Sequence, residues 1–222
     1  MVDGMILETC IKRLEEAIKR LIQSSVGRSC KIEEAIRKIC YYKGWFPTPE
    51  EFAHLGLEDI ENLQSYTPLH RDMIVLDYGS GIGRITKPMA KLVRVVYALD
   101  TDEEMLRVGK IYCSEATNIK WIQCADEILF SSIDFIYCIL VFQHNTLSGS
   151  QRILEDIFRV LKVHGKAVLQ FPVPETHRYY YDYTEENVTK LLSCFKIISV
   201  RTVVKDNVDN TLAYRNYLVE KV

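Results

Sequence analysis

The chain has 222 residues, enough to bury a sizeable core, and its 48% hydrophobic and 26% charged residues are typical of a globular protein. Its formal net charge of −2 gives no indication of a nucleic-acid partner. No apolar run approaches the roughly 20 residues of a membrane-spanning helix, and the N-terminal residues lack a secretory pattern. These features predict a protein without a membrane partner and do not indicate nucleic acid as a partner.

The seven cysteines are odd in number and form no C-x-x-C pair. Several of them, Cys10, Cys40, Cys124 and Cys138, stand within apolar stretches, which is typical of reduced core side chains. A zinc site needs clustered cysteine and histidine ligands, and the sequence contains no such cluster. We therefore expect a cytoplasmic protein without a metal ion.

The first 68 residues are predicted to form a helical cap on a main domain at residues 69–222. Apolar residues recur at intervals of three and four between Leu7 and Ile22, the pattern of an amphipathic helix. Thr48 can cap a later helix that has Pro49 at its first position. The segment then runs directly into the first predicted strand. Two interpretations stay open, a static cap and a lid over the active site.

From Met73 onward, short apolar strands alternate with helices. Strands are predicted at 74–76, 93–99, 119–124, 133–140 and 167–171, and helices at 84–92, 103–114 and 150–161. Continuous apolar strands of this kind indicate a mostly parallel sheet covered on both faces. A helix at 184–194 and strands at 196–204 and 211–219 follow. The short polar turn between these last strands requires them to be antiparallel.

A glycine-rich turn follows the first strand, in the segment V-L-D-Y-G-S-G-I-G-R. Its glycines fall at alternate positions, Gly79, Gly81 and Gly83. The dinucleotide fingerprint G-x-G-x-x-G would require a glycine where Arg84 stands. Asp77 would repel a pyrophosphate but suits a ligand that carries an ammonium and a sulfonium. The turn therefore favours S-adenosylmethionine over a nicotinamide dinucleotide.

Further residues near the carboxyl ends of the strands suit the rest of such a cofactor. Asp100 ends the second strand, where a carboxylate can bind ribose hydroxyls of either nucleotide cofactor. Asp126 can accept a hydrogen bond from the adenine amine, with the Glu127 amide available to a ring nitrogen. Thr101 and Met105 could flank the ring, although Met105 suits a core position equally well.

Four segments between Met73 and Phe171 occur in order: V-L-D-Y-G-S-G-I-G-R-I-T-K-P-M-A, V-Y-A-L-D-T-D-E-E-M-L, C-A-D-E-I-L-F-S-S-I-D-F-I-Y-C-I-L-V-F-Q-H and R-V-L-K-V-H-G-K-A-V-L-Q. Together they resemble the class I S-adenosylmethionine-dependent methyltransferases. The resemblance implies an α/β, Rossmann-like doubly wound sheet of seven strands in the order 3-2-1-4-5-7-6, the last antiparallel, here with an N-terminal helical cap. It assigns cofactor binding to Asp77, Gly79, Gly81, Gly83, Asp100 and Asp126.

The acceptor is expected to bind beside the segment that follows the fourth strand. His144 is the candidate general base there, because a histidine titrates near neutral pH; alternatively it only shapes the pocket. The tyrosine-rich segment after the fifth strand and aromatic residues of the cap could form the other walls. The candidate acceptor-pocket residues are Gln143, His177, Tyr179, Tyr183, Trp45 and Tyr66.

The expected function is transfer of a methyl group from S-adenosylmethionine to an oxygen or nitrogen atom of a small molecule. Within the same class, a protein or RNA acceptor is the alternative. A non-catalytic relative that keeps the cofactor site is a second alternative. An NAD-dependent oxidoreductase is disfavoured by Arg84 and Asp77.

Overall fold

The computed structural model describes residues 27–28, 31–37, 47–174, 182–206 and 211–222. Within these residues, seven strands form one sheet in the order β3-β2-β1-β4-β5-β7-β6, which confirms the order expected from the sequence. The strands are β1 Ile74–Tyr78, β2 Val95–Leu99, β3 Ile119–Ile122, β4 Ile133–Cys138, β5 Leu161–Pro172, β6 Lys196–Asp206 and β7 Thr211–Glu220.

The strand directions place a topological switch point beside β1. This strand pairs in parallel with β2 on one side and with β4 on the other, so Asp77 lies opposite Ala98 and opposite Tyr137. The last strand, β7, is antiparallel to both β5 and β6, as expected for the closing hairpin. In open sheets of this type, ligands bind at the carboxyl ends of the strands next to the switch point.

Among the described residues, five helices with complete bounds pack against the sheet, and two short 3₁₀ turns follow β3 and β4. The helices are α1 Pro49–Gln64, α2 Thr86–Met89, α3 Glu103–Tyr112, α4 Leu147–Val160 and α5 Glu185–Leu191, and the 3₁₀ turns are Ala125–Glu127 and Phe142–His144. The predicted cap of α1 is confirmed, because the Thr48 hydroxyl accepts from the Glu51 amide and the Glu51 carboxylate accepts from the Thr48 amide. None of the helices in the described ranges is both long and apolar enough to cross a bilayer.

Both faces of the sheet are buried. Leu76, Ile136 and Leu169 pack on the side of α4, within one large apolar cluster. Their neighbours in sequence point the other way and pack with Ile60 and Leu63 of α1. Continuous apolar strands thus reflect burial on two faces, as the sequence predicts.

Two elements differ from the prediction. The helix expected at 84–92 shortens to Thr86–Met89, and it contains Pro88, which offers no backbone N–H. Strand β5 begins at Leu161 rather than Ala167, because the segment around His164, whose φ is +62°, is a bulge within the strand. Ile133 of β4 is aligned with Leu161 of β5, and Phe135 of β4 is aligned with Lys166 of β5. Strand β5 therefore has more residues than β4 between the two aligned pairs, which is the definition of a bulge.

The described part of the cap includes residues 31–37, which are helical as predicted, with Ala35 and Ile36 buried. These side chains pack with Phe52 of α1 and Tyr112 of α3 in a third apolar cluster. The predicted helix between Leu7 and Ile22 lies outside the described residues.

Helix α1 docks closely on the turn that follows β1. A Cβ atom added to Gly56 would lie 2.2 Å from the backbone oxygen of Arg84. This carbonyl receives no helical N–H four residues later, because that position is Pro88. The Arg84 guanidinium also forms a half-buried ion pair with Asp59 of α1. Gly56 is therefore required for the close approach of α1.

We expect Gly56→Ala to destabilise the protein by about 1–3 kcal/mol, although alanine favours a helix by up to about 1 kcal/mol. The clash is with backbone, which cannot rotate away as a side chain could. Urea denaturation checks this result. The matched control is Gly27→Ala, since nothing lies within 4 Å of a Cβ atom there. Equal stability of the two variants would contradict the docking of α1.

Candidate active site

A cavity of about 530 Å³ opens at the carboxyl ends of β1, β2 and β4. This volume lies within the roughly 300–1,000 Å³ of ligand pockets. Seven of the predicted site residues line it: Asp77, Gly79, Gly81, Asp100, Thr101, Gln143 and His144. The cavity therefore brings the predicted cofactor residues of the glycine turn together with the predicted acceptor residues that follow β4.

The glycine turn has a backbone that side chains would strain. The φ angles of Gly79, Gly81 and Gly83 are +84°, +53° and +90°, all in the left-handed region. The amides of Gly79 and Ser80 both donate to the Leu99 oxygen at 2.8 Å, which ties the turn to β2. A Cβ atom on Gly79 would lie 2.2 Å from Val141 Cγ2. Glycine at this position thus allows the segment after β4 to approach the turn.

Gly83 faces away from the cavity that the other two glycines line. A Cβ atom there would lie 2.7 Å from Cys113 Sγ and 3.0 Å from a ring carbon of Trp121. The absence of a side chain at Gly83 therefore serves the packing of the turn against α3 and β3.

Asp77 is a buried carboxylate at the floor of the cavity, with only 4% of its surface exposed. Burial raises the pKa of Asp77 to about 7, and the negative charge of Asp100 also raises it. The hydrogen bond from the Thr86 hydroxyl and the neighbouring Tyr137 hydroxyl lower the pKa in part. The Tyr137 hydroxyl is itself buried and forms no hydrogen bond of normal geometry in the described part of the chain. No lysine or arginine among the described residues forms an ion pair with Asp77. A cationic ligand would supply the missing countercharge.

Asp100 joins the glycine turn to the start of α3. Its Oδ2 atom accepts from the Gly81 amide at 2.7 Å, and its Oδ1 atom accepts from the Asp102 amide at 3.0 Å. Thr101, the next residue, also lines the cavity. The carboxylate is half-exposed and keeps unused lone pairs, so it can accept from further hydroxyl groups.

The residues predicted to surround an adenine ring lie differently. The Asp126 side chain is 87% exposed and lies 3.5 Å from Arg159 Nη2. Glu127 accepts from the Gln123 amide through Oε1 at 3.2 Å, and Met105 is buried in the core with Phe52. None of these three predicted side chains lines the described cavity. Cys124, predicted to be buried, is exposed and caps the 3₁₀ turn that carries Asp126.

The 3₁₀ turn after β4 carries Gln143 and His144 at the cavity wall. Gln143 Nε2 lies 3.0 Å from His144 Nε2, and the Tyr214 hydroxyl donates to Gln143 Oε1 at 2.8 Å. A second cavity of about 380 Å³ adjoins this turn and includes Tyr183 in its wall. The wall between the two cavities is therefore formed by Gln143, His144 and Asn145, which line both of them.

The other predicted acceptor residues fall in three places. Tyr183 is 2% exposed, and its hydroxyl lies 2.8 Å from the Phe142 oxygen and 2.6 Å from the Asn145 oxygen, so it also braces the turn after β4. Tyr66 is buried in the core, with the Arg201 guanidinium 4.3 Å from its ring centre. His177, Tyr179 and Trp45 lie outside the described residues.

Several lining residues were not predicted from the sequence, notably Phe52, Arg84, Ile85 and Leu140. Phe52 could have been predicted, because the N-cap at Thr48 defines the start of helix α1, and α1 carries this side chain. Leu140 has a φ of +62°, and its amide donates to Gln170 Oε1 at 3.3 Å. Sequence patterns carry no signal for such a backbone angle in a leucine.

Residues 75–165 match a family model described as a methyltransferase domain. A demethylmenaquinone methyltransferase of Tropheryma whipplei is 30% identical over 125 residues, which are 54% of this chain and 52% of that protein. A ubiquinone/menaquinone biosynthesis C-methyltransferase of Wigglesworthia glossinidia brevipalpis is 35% identical over 111 residues, 46% of this chain and 44% of that protein. The chain thus spans about half the length of the curated relatives that it matches.

Two of the solved structures that share the fold are methyltransferases. One is a methyltransferase from Methanosarcina mazei, with a TM-score of 0.59 and 19% identity over 72% of this chain and 97% of that one. The other is the geranyl diphosphate C-methyltransferase of Streptomyces coelicolor, with a TM-score of 0.62 and 12% identity over 78% of this chain and 82% of that one. At these identities the likeness concerns the fold.

Proposed function

The chain contains a class I S-adenosylmethionine-dependent methyltransferase domain, and from this premise we propose that the protein binds S-adenosylmethionine and methylates a small-molecule acceptor. The observation that carries the proposal is Asp77, a buried carboxylate in the cavity beside the glycine turn. A negative charge in that position suits a cation and opposes the pyrophosphate of a dinucleotide.

The lining residues fit the parts of this cofactor. Asp77 would hold the cationic end, the glycine turn would lie against the ligand with bare backbone, and Asp100 would accept from the ribose hydroxyls. Thr101 supports the adenine end, because it lines the cavity next to Asp100. Contacts from Asp126, Glu127 and Met105 to the adenine stay predictions, as does a direct contact from Gly83.

The cofactor supplies a methyl group that a sulfonium already activates. The protein therefore contributes mainly positioning and the exclusion of water. Phe52, Leu140 and Val141 provide apolar walls for both purposes. Three residues line both cavities, and His144 is the exposed one among them, which is the reason to propose that it contacts the acceptor.

The sequence favours an oxygen or nitrogen acceptor atom. The names of the matched relatives introduce carbon as a further candidate, since one is a C-methyltransferase and the other methylates demethylmenaquinone. We therefore include a ring carbon of a quinone-like molecule among the proposed acceptor atoms. Protein or RNA acceptors and a non-catalytic role remain the alternatives.

Radiolabelled S-adenosylmethionine tests this function. The protein is incubated with labelled cofactor and either demethylmenaquinone or a panel of hydroxylated and aminated metabolites, and label in the extracted product is counted. We expect label in at least one small molecule. Binding of the cofactor with label in none of them would favour the non-catalytic alternative.

The affinity for S-adenosylmethionine is expected to rise by up to about tenfold per pH unit between pH 5.5 and 7, then to level off. Below pH 7 the Asp77 carboxyl is mostly protonated, so binding a cation must first release that proton. Calorimetry in buffers of different ionisation enthalpy measures both the affinity and the released proton. An affinity that is constant over this pH range would contradict the contact with Asp77.

We expect His144→Ala to keep cofactor affinity but to lower kcat by about 10²-fold or more. The side chain lies at the junction of the cavities rather than at the Asp77 end. Label transfer to demethylmenaquinone or to the acceptor found above gives kcat. The control is His54→Ala, whose side chain is exposed on α1. Unchanged turnover in His144→Ala would exclude a role for this residue.

We also propose that residues 1–68 act as a lid on the domain at 69–222. The support is Phe52, which belongs to α1 yet lines the cavity. We propose separately that the protein is located in the cytoplasm. Cys113, Cys124, Cys138 and Cys194 are free thiols within the described ranges, as a reducing compartment would keep them.

A further inference from the structure

We infer that Tyr214 and Gln143 hold His144 with its proton on Nδ1, so that this histidine donates a hydrogen bond to an ionised oxygen of the acceptor. The inference rests on the proposed function and names the acceptor class: a phenol or enol that binds as its anion. It replaces the role of general base that the sequence indicates for His144.

Tyr214 fixes the position of the Gln143 side chain. It lies on β7, between the antiparallel neighbours β5 and β6, and only 4% of its surface is exposed. Its register partners are Pro172 on β5 and Val203 on β6, so strands fix its backbone on both sides. Its hydroxyl donates to Gln143 Oε1 at 2.8 Å, across 71 positions of sequence. A buried tyrosine between two strands is a rigid support for this amide.

The bond from Tyr214 sets the orientation of the Gln143 amide. With Oε1 accepting from the tyrosine, the NH₂ group points toward His144, where Nε2 to Nε2 is 3.0 Å. An amide NH₂ is a donor only, so the histidine Nε2 atom must accept. In the neutral imidazole the other nitrogen then carries the proton, because each ring has one donor and one acceptor.

This tautomer has a chemical consequence. The lone pair of Nε2 is engaged by Gln143, and Nδ1 presents an N–H rather than a base. His144 is exposed at the wall shared by the two cavities, so it can donate to a ligand there. A donor of this kind favours the ionised form of an acceptor hydroxyl.

An acceptor that binds as its anion needs no proton transfer while the methyl group moves, although a ring carbon that is methylated afterwards loses its hydrogen to solvent as a proton, which restores the aromatic ring. The acceptor's nucleophilic carbon or oxygen forms the bond to the methyl carbon, using an electron pair of the anion. The bond between that carbon and sulfur breaks, and its electron pair stays on the sulfur. The proton leaves the acceptor to solvent before transfer. Tyr214 and Gln143 act here as positioning residues, since they work through His144.

Nitrogen NMR of ¹⁵N-histidine-labelled protein at pH 8 tests the tautomer without any acceptor. The chain has five histidines, and the His144 resonances are those lost in His144→Ala. In the wild-type protein we expect proton coupling at Nδ1 and an unprotonated Nε2. In Gln143→Glu the carboxylate can only accept, so the proton should move to Nε2. In Tyr214→Phe the amide is released, and the two tautomers should become mixed.

Tyr217→Phe is the matched control, because Tyr217 is a buried tyrosine of β7 that packs in the cluster on the α4 side. It should leave the His144 spectrum as in the wild-type protein. A wild-type spectrum with the proton on Nε2, or one that Tyr214→Phe leaves unchanged, would overturn the inference. Titration of each variant with S-adenosylhomocysteine separates this result from the proposed function. If the wild-type protein does not bind S-adenosylhomocysteine, the proposed function is refuted, while the NMR spectrum still decides which nitrogen of His144 carries the proton.

Discussion

Asp77→Asn is expected to weaken binding of S-adenosylmethionine by at least about 100-fold and, in the same protein, to raise the free energy of unfolding at pH 8. The asparagine keeps the shape of the side chain and an oxygen that can accept from Thr86. It removes only the buried negative charge. Binding and stability should therefore change in opposite directions.

The sign of the stability effect follows from the pKa of Asp77. The folded protein holds this pKa at about 7, above the ordinary value of 3.8, chiefly because burial disfavours the charge. The group stabilises the fold fully below about pH 3.8, and this contribution is lost as the pH rises to about 7. With each pKa unit worth about 1.4 kcal/mol, the ionised side chain at pH 8 destabilises the cofactor-free protein by on the order of 4 kcal/mol.

Urea denaturation at pH 5 and pH 8, with calorimetric titration of the cofactor, measures both effects. We expect the variant to lose the fall in stability between these pH values that the wild-type protein shows. Asp72→Asn is the control, since Asp72 is exposed before β1 and outside the cavity. Full cofactor affinity in Asp77→Asn would show that the cationic end of the ligand lies elsewhere.

Gly79→Ala is expected to remove cofactor binding and to destabilise the fold by about 3 kcal/mol or more. Two effects combine at this position. The φ angle of +84° strains any side chain, and the new Cβ atom would lie 2.2 Å from Val141 Cγ2. Valine is stiff at χ1, so relief requires the segment after β4 to move. That movement would displace the wall of the cavity.

The matched control is Gly83→Ala, whose φ of +90° gives a similar strain. Its Cβ atom would meet Cys113 Sγ and Trp121, on the side of the turn away from the cavity. This variant should lower the melting temperature yet retain affinity for S-adenosylhomocysteine in the folded protein, because the new Cβ atom points away from the cavity and leaves the predicted backbone contact of residue 83 in place. Equal loss of affinity in both variants would mean that strain, and not the cavity wall, explains the result at Gly79.

The sequence predicted those features of the fold that depend on residues close to one another in the chain. The cap at Thr48 follows from neighbouring residues, and the glycines of the turn occupy φ angles that other residues avoid. The strand order came from ordered motifs and was confirmed. The β5 bulge at His164 depends on register with β4 and β7, which no window of sequence contains.

The candidate site likewise contains residues whose position the sequence predicts and residues whose position depends on tertiary packing. Asp77 and Asp100, both selected from the sequence as cofactor residues, line one cavity because the ends of β1 and β2 determine their position. The exposure of Asp126 depends on how a short 3₁₀ turn faces Arg159, a residue of a distant helix. The bond between Tyr214 and Gln143 joins a strand and a turn that are remote in sequence. Contacts of this kind arise only from tertiary packing.

Calorimetric titration of the protein with S-adenosylhomocysteine and, separately, with NAD tests the central claim most directly. The cavity is predicted to bind S-adenosylhomocysteine at one site per chain, with affinity that Asp77→Asn removes, and to show no heat of binding with NAD. Binding of NAD together with no binding of S-adenosylhomocysteine would contradict the assignment of the glycine turn and of Asp77 to a methyl-donor site.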